Sequence, residues 1–105
     1  MMKGINRTQL AAGCLLLLAT GPAIAANPVR GEALAKHWCA SCHVVFPDQR
    51  RALSDAPSFR SIVRRPGFNS RALAYWLLAP HPPMPAFSLT RDEADDIAAY
   101  IETTR

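Results

Sequence analysis

Two thiols and an imidazole stand close together in the chain, at Cys39, Cys42 and His43. This Cys-x-x-Cys-His pattern is typical of the attachment site of a c-type haem. Each thiol can add to one of the two vinyl groups on the same edge of a porphyrin, and the following imidazole is then carried under the ring to the iron. The pattern predicts one covalently bound haem c, attached at Cys39 and Cys42, with His43 as an axial iron ligand.

Two other kinds of site also use paired cysteines. A thioredoxin-like dithiol sits between a β-strand and a helix, but the residues before Cys39 are not a buried β-branched run. A structural zinc ion needs four Cys or His ligands. His37 or His81 could join the motif in such a set, although no second paired motif accompanies it. Haem is the preferred interpretation, and the dithiol and zinc sites are its alternatives.

A sixth ligand for the iron is expected from the proline-rich segment His81-Pro82-Pro83-Met84-Pro85. The prolines restrict φ along this segment, so it can hold a thioether in place at low entropic cost. Met/His ligation is the pattern of electron-carrying haem proteins. We therefore predict Met84 as the second axial ligand. His81 is the competing donor and would give a bis-histidine haem.

The start of the chain predicts a secretory signal peptide over residues 1–25. Two basic residues and no acid precede an apolar run over residues 10–19. A small-x-small cleavage pattern follows, and we expect cleavage after Ala25 or Ala26. The apolar run is too short to span a bilayer comfortably, so no stable membrane anchor is expected after cleavage.

Cys14 lies inside that segment, ahead of most of the apolar run, whereas in a lipoprotein signal the apolar run precedes the cysteine. We expect Cys14 to be lost with the signal, which leaves Cys39 and Cys42 as the cysteines of the remaining domain, residues 26–105. Export leads to an oxidising compartment, here the periplasm. A domain this short usually needs an added stabilising element, and a covalent porphyrin would provide one.

The positive charge of the chain is poor evidence for nucleic-acid or membrane binding. The chain carries a formal +4, which falls to +2 without the basic residues of the signal and approaches zero with two haem propionates. Arginines are concentrated in the middle of the chain, at Arg50, Arg51, Arg60, Arg64, Arg65 and Arg71. The preferred interpretation is a solvated basic face, and the alternative is that they pair with propionates or steer a partner. A monomer in solution is expected.

Periodicity and capping residues predict a small all-α domain of three to five helices. Helices are expected over residues 29–39 and 58–65, and from Asn69 or Ser70 to residue 78. The last helix should begin at Thr90-Arg91-Asp92-Glu93, which has the pattern of a capping box. The prolines between residues 80 and 85 exclude regular structure there.

The region 26–105 resembles a class I (mitochondrial-type) c-type cytochrome of the small bacterial kind. The likeness rests on the Cys-x-x-Cys-His motif and on four further segments: Gly31-x-x-Leu34, Ala56-Pro57-Ser58-Phe59, Pro83-Met84-Pro85 and Ile97-Ala98-Ala99-Tyr100-Ile101. The resemblance implies that the first and last helices cross near the haem edge.

At that crossing the resemblance implies a close approach at Gly31, with Tyr100 packing opposite. It also implies that the Pro57 carbonyl accepts the Nδ1 proton of His43, which would fix the ring. The contacts to the propionates or to the pocket are least defined, with Arg64, Arg65 and Trp76 as candidates.

These features predict a periplasmic protein that is not an enzyme. It would carry single electrons between redox protein partners, or serve as the electron-accepting subunit of an oxidoreductase. The alternative is a haem sensor or enzyme with a labile distal site. A thioredoxin-like dithiol oxidoreductase is less favoured.

Overall fold

The protein is described by a computed structural model over residues 24–79 and 81–105. Residues 1–23 of the predicted signal peptide, with Cys14, lie outside the described residues. Four helices follow one another: α1 (Pro28–Trp38), α2 (Phe59–Val63), α3 (Ser70–Leu78) and α4 (Arg91–Thr103). The described ranges contain no β-strand, so the all-α prediction is confirmed, and the strands of a thioredoxin-like domain are absent from them. No helix in these ranges is both long and apolar enough to cross a bilayer.

Each helix begins at a side chain that accepts hydrogen bonds from the first turn, as predicted for α3 at Asn69 and for α4 at Thr90. The Asn27 side chain accepts from the backbone N–H groups of Val29 and Arg30. Ser58 and Asn69 do the same at the starts of α2 and α3. Thr90 and Glu93 form the reciprocal bonds of a capping box at α4. These bonds satisfy backbone N–H groups that have no partner inside a helix.

The α1–α4 crossing is the centre of the core. Gly31 and Ala35 of α1 are buried there, facing Ile97 and Ile101 of α4. A Cβ added at Gly31 would overlap the backbone carbonyl of Asp96. The two backbones approach this closely only because Gly31 has no side chain.

Tyr100 holds the core to the loop after α1. Its ring lies edge-on to that of Phe59, with 6.2 Å between the ring centroids. Its hydroxyl donates to the Val45 carbonyl at 2.6 Å. The side chain was expected opposite Gly31, but the α4 backbone at Asp96 and Ile97 occupies that contact, and Tyr100 lies one turn further along.

Asp96 is the one buried charged side chain among the described residues, at 2% exposure. One carboxylate oxygen accepts the backbone N–H of Asn27 at 2.6 Å, and the other accepts Arg30 Nε–H at 2.5 Å. The carboxylate therefore ties the beginning of α1 to α4, next to the close approach at Gly31.

Candidate haem-binding site

A cleft of about 630 Å³ opens between α1, the loop after it, α3 and the proline-rich loop. That volume is within the range of about 300–1,000 Å³ that is typical of ligand cavities. Its walls are mainly apolar and aromatic, with contributions from Trp38, Phe59, Leu73, Leu77, Phe87 and Ile101. Cys39, Cys42, His43 and Met84 line the same cleft. The structure thus brings together two segments that lie about forty residues apart in the sequence.

The two cysteines stand where α1 ends. The Cys39 carbonyl accepts the backbone N–H of Cys42 at 3.1 Å and that of His43 at 2.9 Å, which closes a tight turn. Cys39 is buried, at 6% exposure, and Cys42 is half-buried. Burial, with a smaller contribution from Cys42, raises the pKa of the Cys39 thiol to about 11. Both cysteines are unpaired, and both line the cleft as attachment residues require.

His43 is oriented by the segment that precedes α2. Its Nδ1 lies 2.6 Å from the Pro57 carbonyl oxygen. A carbonyl only accepts, so Nδ1 carries the proton and Nε2 keeps its lone pair for a metal. Phe59 supports the ring from the side, with 5.7 Å between the ring centroids. This is the bond between His43 and Pro57 that the family resemblance implied.

Met84 and His81 lie side by side in the proline-rich loop. The Met84 N–H donates to the His81 carbonyl at 3.2 Å, which brings the two residues together as an isolated antiparallel bridge. His81 Nε2 lies 3.1 Å from Met84 Sδ, and His81 Nδ1 lies 2.7 Å from the Ala79 carbonyl oxygen. The Trp76 ring packs against the imidazole at 4.8 Å between centroids. Both candidate ligands for the sixth position therefore line the cleft.

The three residues suggested for propionate or pocket contacts are placed differently. Arg65 and Trp76 line the cleft. Arg64 does not, and it lies in a shallow groove on the surface beside Arg60 and Ser61. All the arginines in the middle of the chain are exposed, which agrees with the solvated basic face that was preferred for them.

Gln49 is a structural residue of the site that the sequence did not reveal. Its side-chain amide donates to the carbonyls of Ala40 and His43, at 2.9 and 2.8 Å. Its side-chain oxygen accepts the backbone N–H of Val45 at 2.8 Å. One side chain thus closes the loop that carries the attachment motif. A glutamine in a loop gives no pattern from which these contacts could be predicted.

Two aromatic residues at the cleft were also missed. Trp38, the last residue of α1, lies against Phe87, with 5.5 Å between the ring centroids. Both line the cleft. Their only signal in the sequence is their apolar character beside the motif and beside the proline-rich loop.

The donor set fits a covalent haem and does not fit zinc. Two thiols share the cleft with an imidazole whose Nε2 is free, and a thioether and mainly apolar walls complete it. In the described ranges, no three His, Cys, Asp or Glu side chains are arranged to hold a metal ion by themselves. A porphyrin iron takes one or two axial donors from the protein, and candidates for both positions line the cleft.

The comparisons with known proteins cover this whole site. The family model described as Cytochrome c matches residues 28–105 of the chain. One curated relative is Cytochrome c-552 from Bradyrhizobium diazoefficiens. It is 54% identical over 95 residues, which is 88% of this chain and 91% of the relative. No solved structure matches the chain. The matched region includes all residues that line the cleft.

Proposed function

Because this chain belongs to the cytochrome c family and carries haem c covalently, we propose that it is a one-electron carrier with its iron between His43 Nε2 and Met84 Sδ. The observation that carries this proposal is the bond of 2.6 Å between His43 Nδ1 and the Pro57 carbonyl. It aims Nε2 into the same cleft that Met84 lines. A carbonyl partner of this kind also makes the ligand nitrogen more basic.

Bound haem c supplies a one-electron iron couple, and the protein determines its environment. Cys39 and Cys42 hold the porphyrin edge through two thioether bonds. The turn that ends α1 and the restricted proline loop keep both axial donors in place, so little rearrangement is needed when the charge changes. Thioether ligation raises the potential, and so does the mainly apolar lining of the cleft. Transfer of an electron to or from the iron makes and breaks no covalent bond, so the proposed role is that of a carrier rather than an enzyme.

The proposed location is the periplasm, reached through cleavage of the signal after Ala25 or Ala26. The proposed partners are redox proteins: a dehydrogenase, an oxidase or a reductase. Neither a nucleic acid nor a stable membrane anchor has a place in this function, and a monomer is expected in solution. A mass spectrum of the exported protein tests cleavage and haem addition together. Unmodified thiols on Cys39 and Cys42 in the exported, mature protein would contradict the proposal.

The iron axis is tested by Met84→Ala. We expect the sulfur-to-iron charge-transfer band of the ferric protein to disappear and the reduction potential to fall, because the thioether is lost. His37→Ala is the matched control, since His37 is exposed and does not line the cleft. It should keep the band. An unchanged spectrum in Met84→Ala would show that Met84 is not an iron ligand. Rapid, complete binding of carbon monoxide by the ferrous wild-type protein would favour the alternative function of a sensor.

A further inference from the structure

We propose that His81 is a reserve axial donor, which binds the haem iron through Nε2 when the Met84 sulfur is absent. The inference rests on the proposed function, because it assumes an iron in this cleft with His43 on it. It adds a second imidazole site that the electron-carrier function does not require.

The first observation is that His81 is oriented in the same way as His43. His43 Nδ1 lies 2.6 Å from the Pro57 carbonyl oxygen, and His81 Nδ1 lies 2.7 Å from that of Ala79. Each carbonyl requires the proton on Nδ1, so each neutral ring presents the lone pair of Nε2. Metal-binding histidines commonly donate their other ring N–H in this way. Both imidazoles belong to the lining of the same cleft.

The second observation is the short distance from His81 to the proposed resident ligand. Nε2 lies 3.1 Å from Met84 Sδ. With the proton on Nδ1, Nε2 keeps its lone pair and is free to bind a metal. The imidazole and the thioether are thus close enough to compete for one axial position of the haem iron, which only one of them can occupy at a time. A shift of the imidazole comparable to that distance would bring Nε2 to the place of the sulfur.

The surroundings of His81 allow the ring to remain in the cleft without Met84. The side chain is half-buried, and Trp76 packs against it at 4.8 Å between centroids. The bond to the Ala79 carbonyl does not involve Met84. Truncating Met84 therefore removes one neighbour of the imidazole, while the contacts to Ala79 and Trp76 hold the ring in the cleft at its starting position and would loosen as Nε2 moves onto the iron.

The test is the spin state of the ferric, haem-loaded protein. Met84→Ala should remain low-spin, with the spectrum of a bis-histidine haem. Met84→Ala combined with His81→Ala should become high-spin, because the sixth position then has no protein donor. Met84→Ala combined with His37→Ala is the matched control and should stay low-spin. If Met84→Ala does not accumulate with haem attached, Met84→Leu keeps the side-chain volume and serves in its place.

Added imidazole gives a second readout. If His81 occupies the iron for about nine-tenths of the time in Met84→Ala, imidazole should bind about tenfold more weakly than in the double variant. High-spin iron in Met84→Ala would overturn the inference, and so would low-spin iron that persists without His81. Ligation of the iron by Met84 is tested separately, by the sulfur-to-iron charge-transfer band of the wild-type protein. Failure of His81 to bind therefore leaves the His43 and Met84 axis standing.

Discussion

Gly31 of α1 lies directly against the backbone carbonyl of Asp96 in α4. The contact joins two backbones, so no flexible side chain can move aside to make room. It sets the separation of the two helices at their crossing, and α1 leads within two turns into Cys39 and Cys42. The position of the attachment motif therefore depends on a glycine eight residues before it.

Gly31→Ala should destabilise the protein although alanine is the better helix former. The gain in helix propensity is about 1 kcal/mol. The added Cβ would overlap the Asp96 carbonyl and force the helices apart. Overpacking usually costs about 1–3 kcal/mol, and we expect a cost at the upper end of that range, which outweighs the gain in helix propensity. We expect a lower midpoint of denaturant unfolding in the haem-loaded protein.

Gly67→Ala is the matched control for this substitution. Gly67 has φ of +74°, and a Cβ there would meet no atom within 4 Å. Gly67→Ala should therefore cost only the strain of a side chain at positive φ, about 1 kcal/mol. If Gly31→Ala proves no more destabilising than Gly67→Ala, the close approach at Asp96 does not limit the packing of the two helices.

The carboxylate of Asp96 should contribute more to the free energy of unfolding than the side chain of its partner Arg30. The Asp96 side chain is 3% exposed, whereas that of Arg30 is 57% exposed. Asp96→Ala leaves the Asn27 N–H and a guanidinium without their acceptor, and we expect a loss of about 3 kcal/mol in the free energy of unfolding. Arg30→Ala should cost less, about 1–2 kcal/mol, because solvent screens the exposed guanidinium and the buried carboxylate that is left keeps the Asn27 N–H.

Chemical denaturation at neutral pH measures both effects. Glu102→Ala removes an exposed acid from the same helix and should be close to neutral. Equal losses for Asp96→Ala and Arg30→Ala would show that the ion pair alone matters and that the bond to Asn27 contributes little.

Tyr100 should stabilise the fold at neutral pH and lose that effect in alkali. Burial raises the pKa of the Tyr100 hydroxyl above its usual value of about 10, so the unfolded chain ionises first as the pH rises. The stabilisation is therefore fully present below about pH 10 and is lost as the pH passes through the raised value.

Tyr100→Phe removes the hydroxyl that donates to the Val45 carbonyl at 2.6 Å. We expect a loss of about 1–2 kcal/mol at pH 7 and a shallower fall in stability above pH 10 than in the wild-type protein. Tyr75→Phe is the control at pH 7, since Tyr75 is exposed, and it should cost less. Parallel alkaline profiles for Tyr100→Phe and the wild-type protein would contradict the assigned role of Tyr100.

The helices and most of the site residues could be predicted because their signals are local. Asn69, Thr90 and Glu93 cap helices a few residues away, and the attachment motif spans five positions. The proline segment around Met84 is local in the same sense. Local patterns thus selected His43 and Met84 as candidate ligands, and the structure places both in the lining of one cleft.

The contacts that were missed depend on residues distant in sequence or on backbone direction. Asp96 is one of several acids near the start of α4. Its burial follows only from the arrival of Asn27 and Arg30 from α1. Arg64 and Arg65 are neighbours in sequence, yet only Arg65 lines the cleft, because the chain turns at the end of α2. No periodicity distinguishes the members of such pairs.

Gln49 gives the most direct test of how the attachment loop is held. Its side chain bonds the carbonyls of Ala40, His43 and Arg51 and the N–H of Val45. Gln49→Ala removes all four bonds, but water can reach part of this loop. We expect a net loss of about 2 kcal/mol, from a typical contribution of 0.5–1.5 kcal/mol for each bond. Faster hydrogen exchange of the Val45 amide should accompany it.

Gln49→Glu tests the hydrogen-bond donors of this side chain separately from its size. The substitution keeps the size and the acceptor for Val45, but it turns an amide that donates to three carbonyls, among them those of Ala40 and His43, into a carboxylate oxygen that faces them. It should destabilise at pH 7 at least as much as Gln49→Ala. The facing carbonyls disfavour the carboxylate in the folded state and so raise its pKa there. The deficit relative to the wild-type protein should shrink as the pH falls through that raised pKa and be smallest below about 4, where the protonated acid can donate again. Asp48→Ala, at the exposed neighbouring position, is the control and should change neither stability nor exchange. A Gln49→Glu variant as stable as the wild-type protein at pH 7 would show that these carbonyls do not depend on this donor.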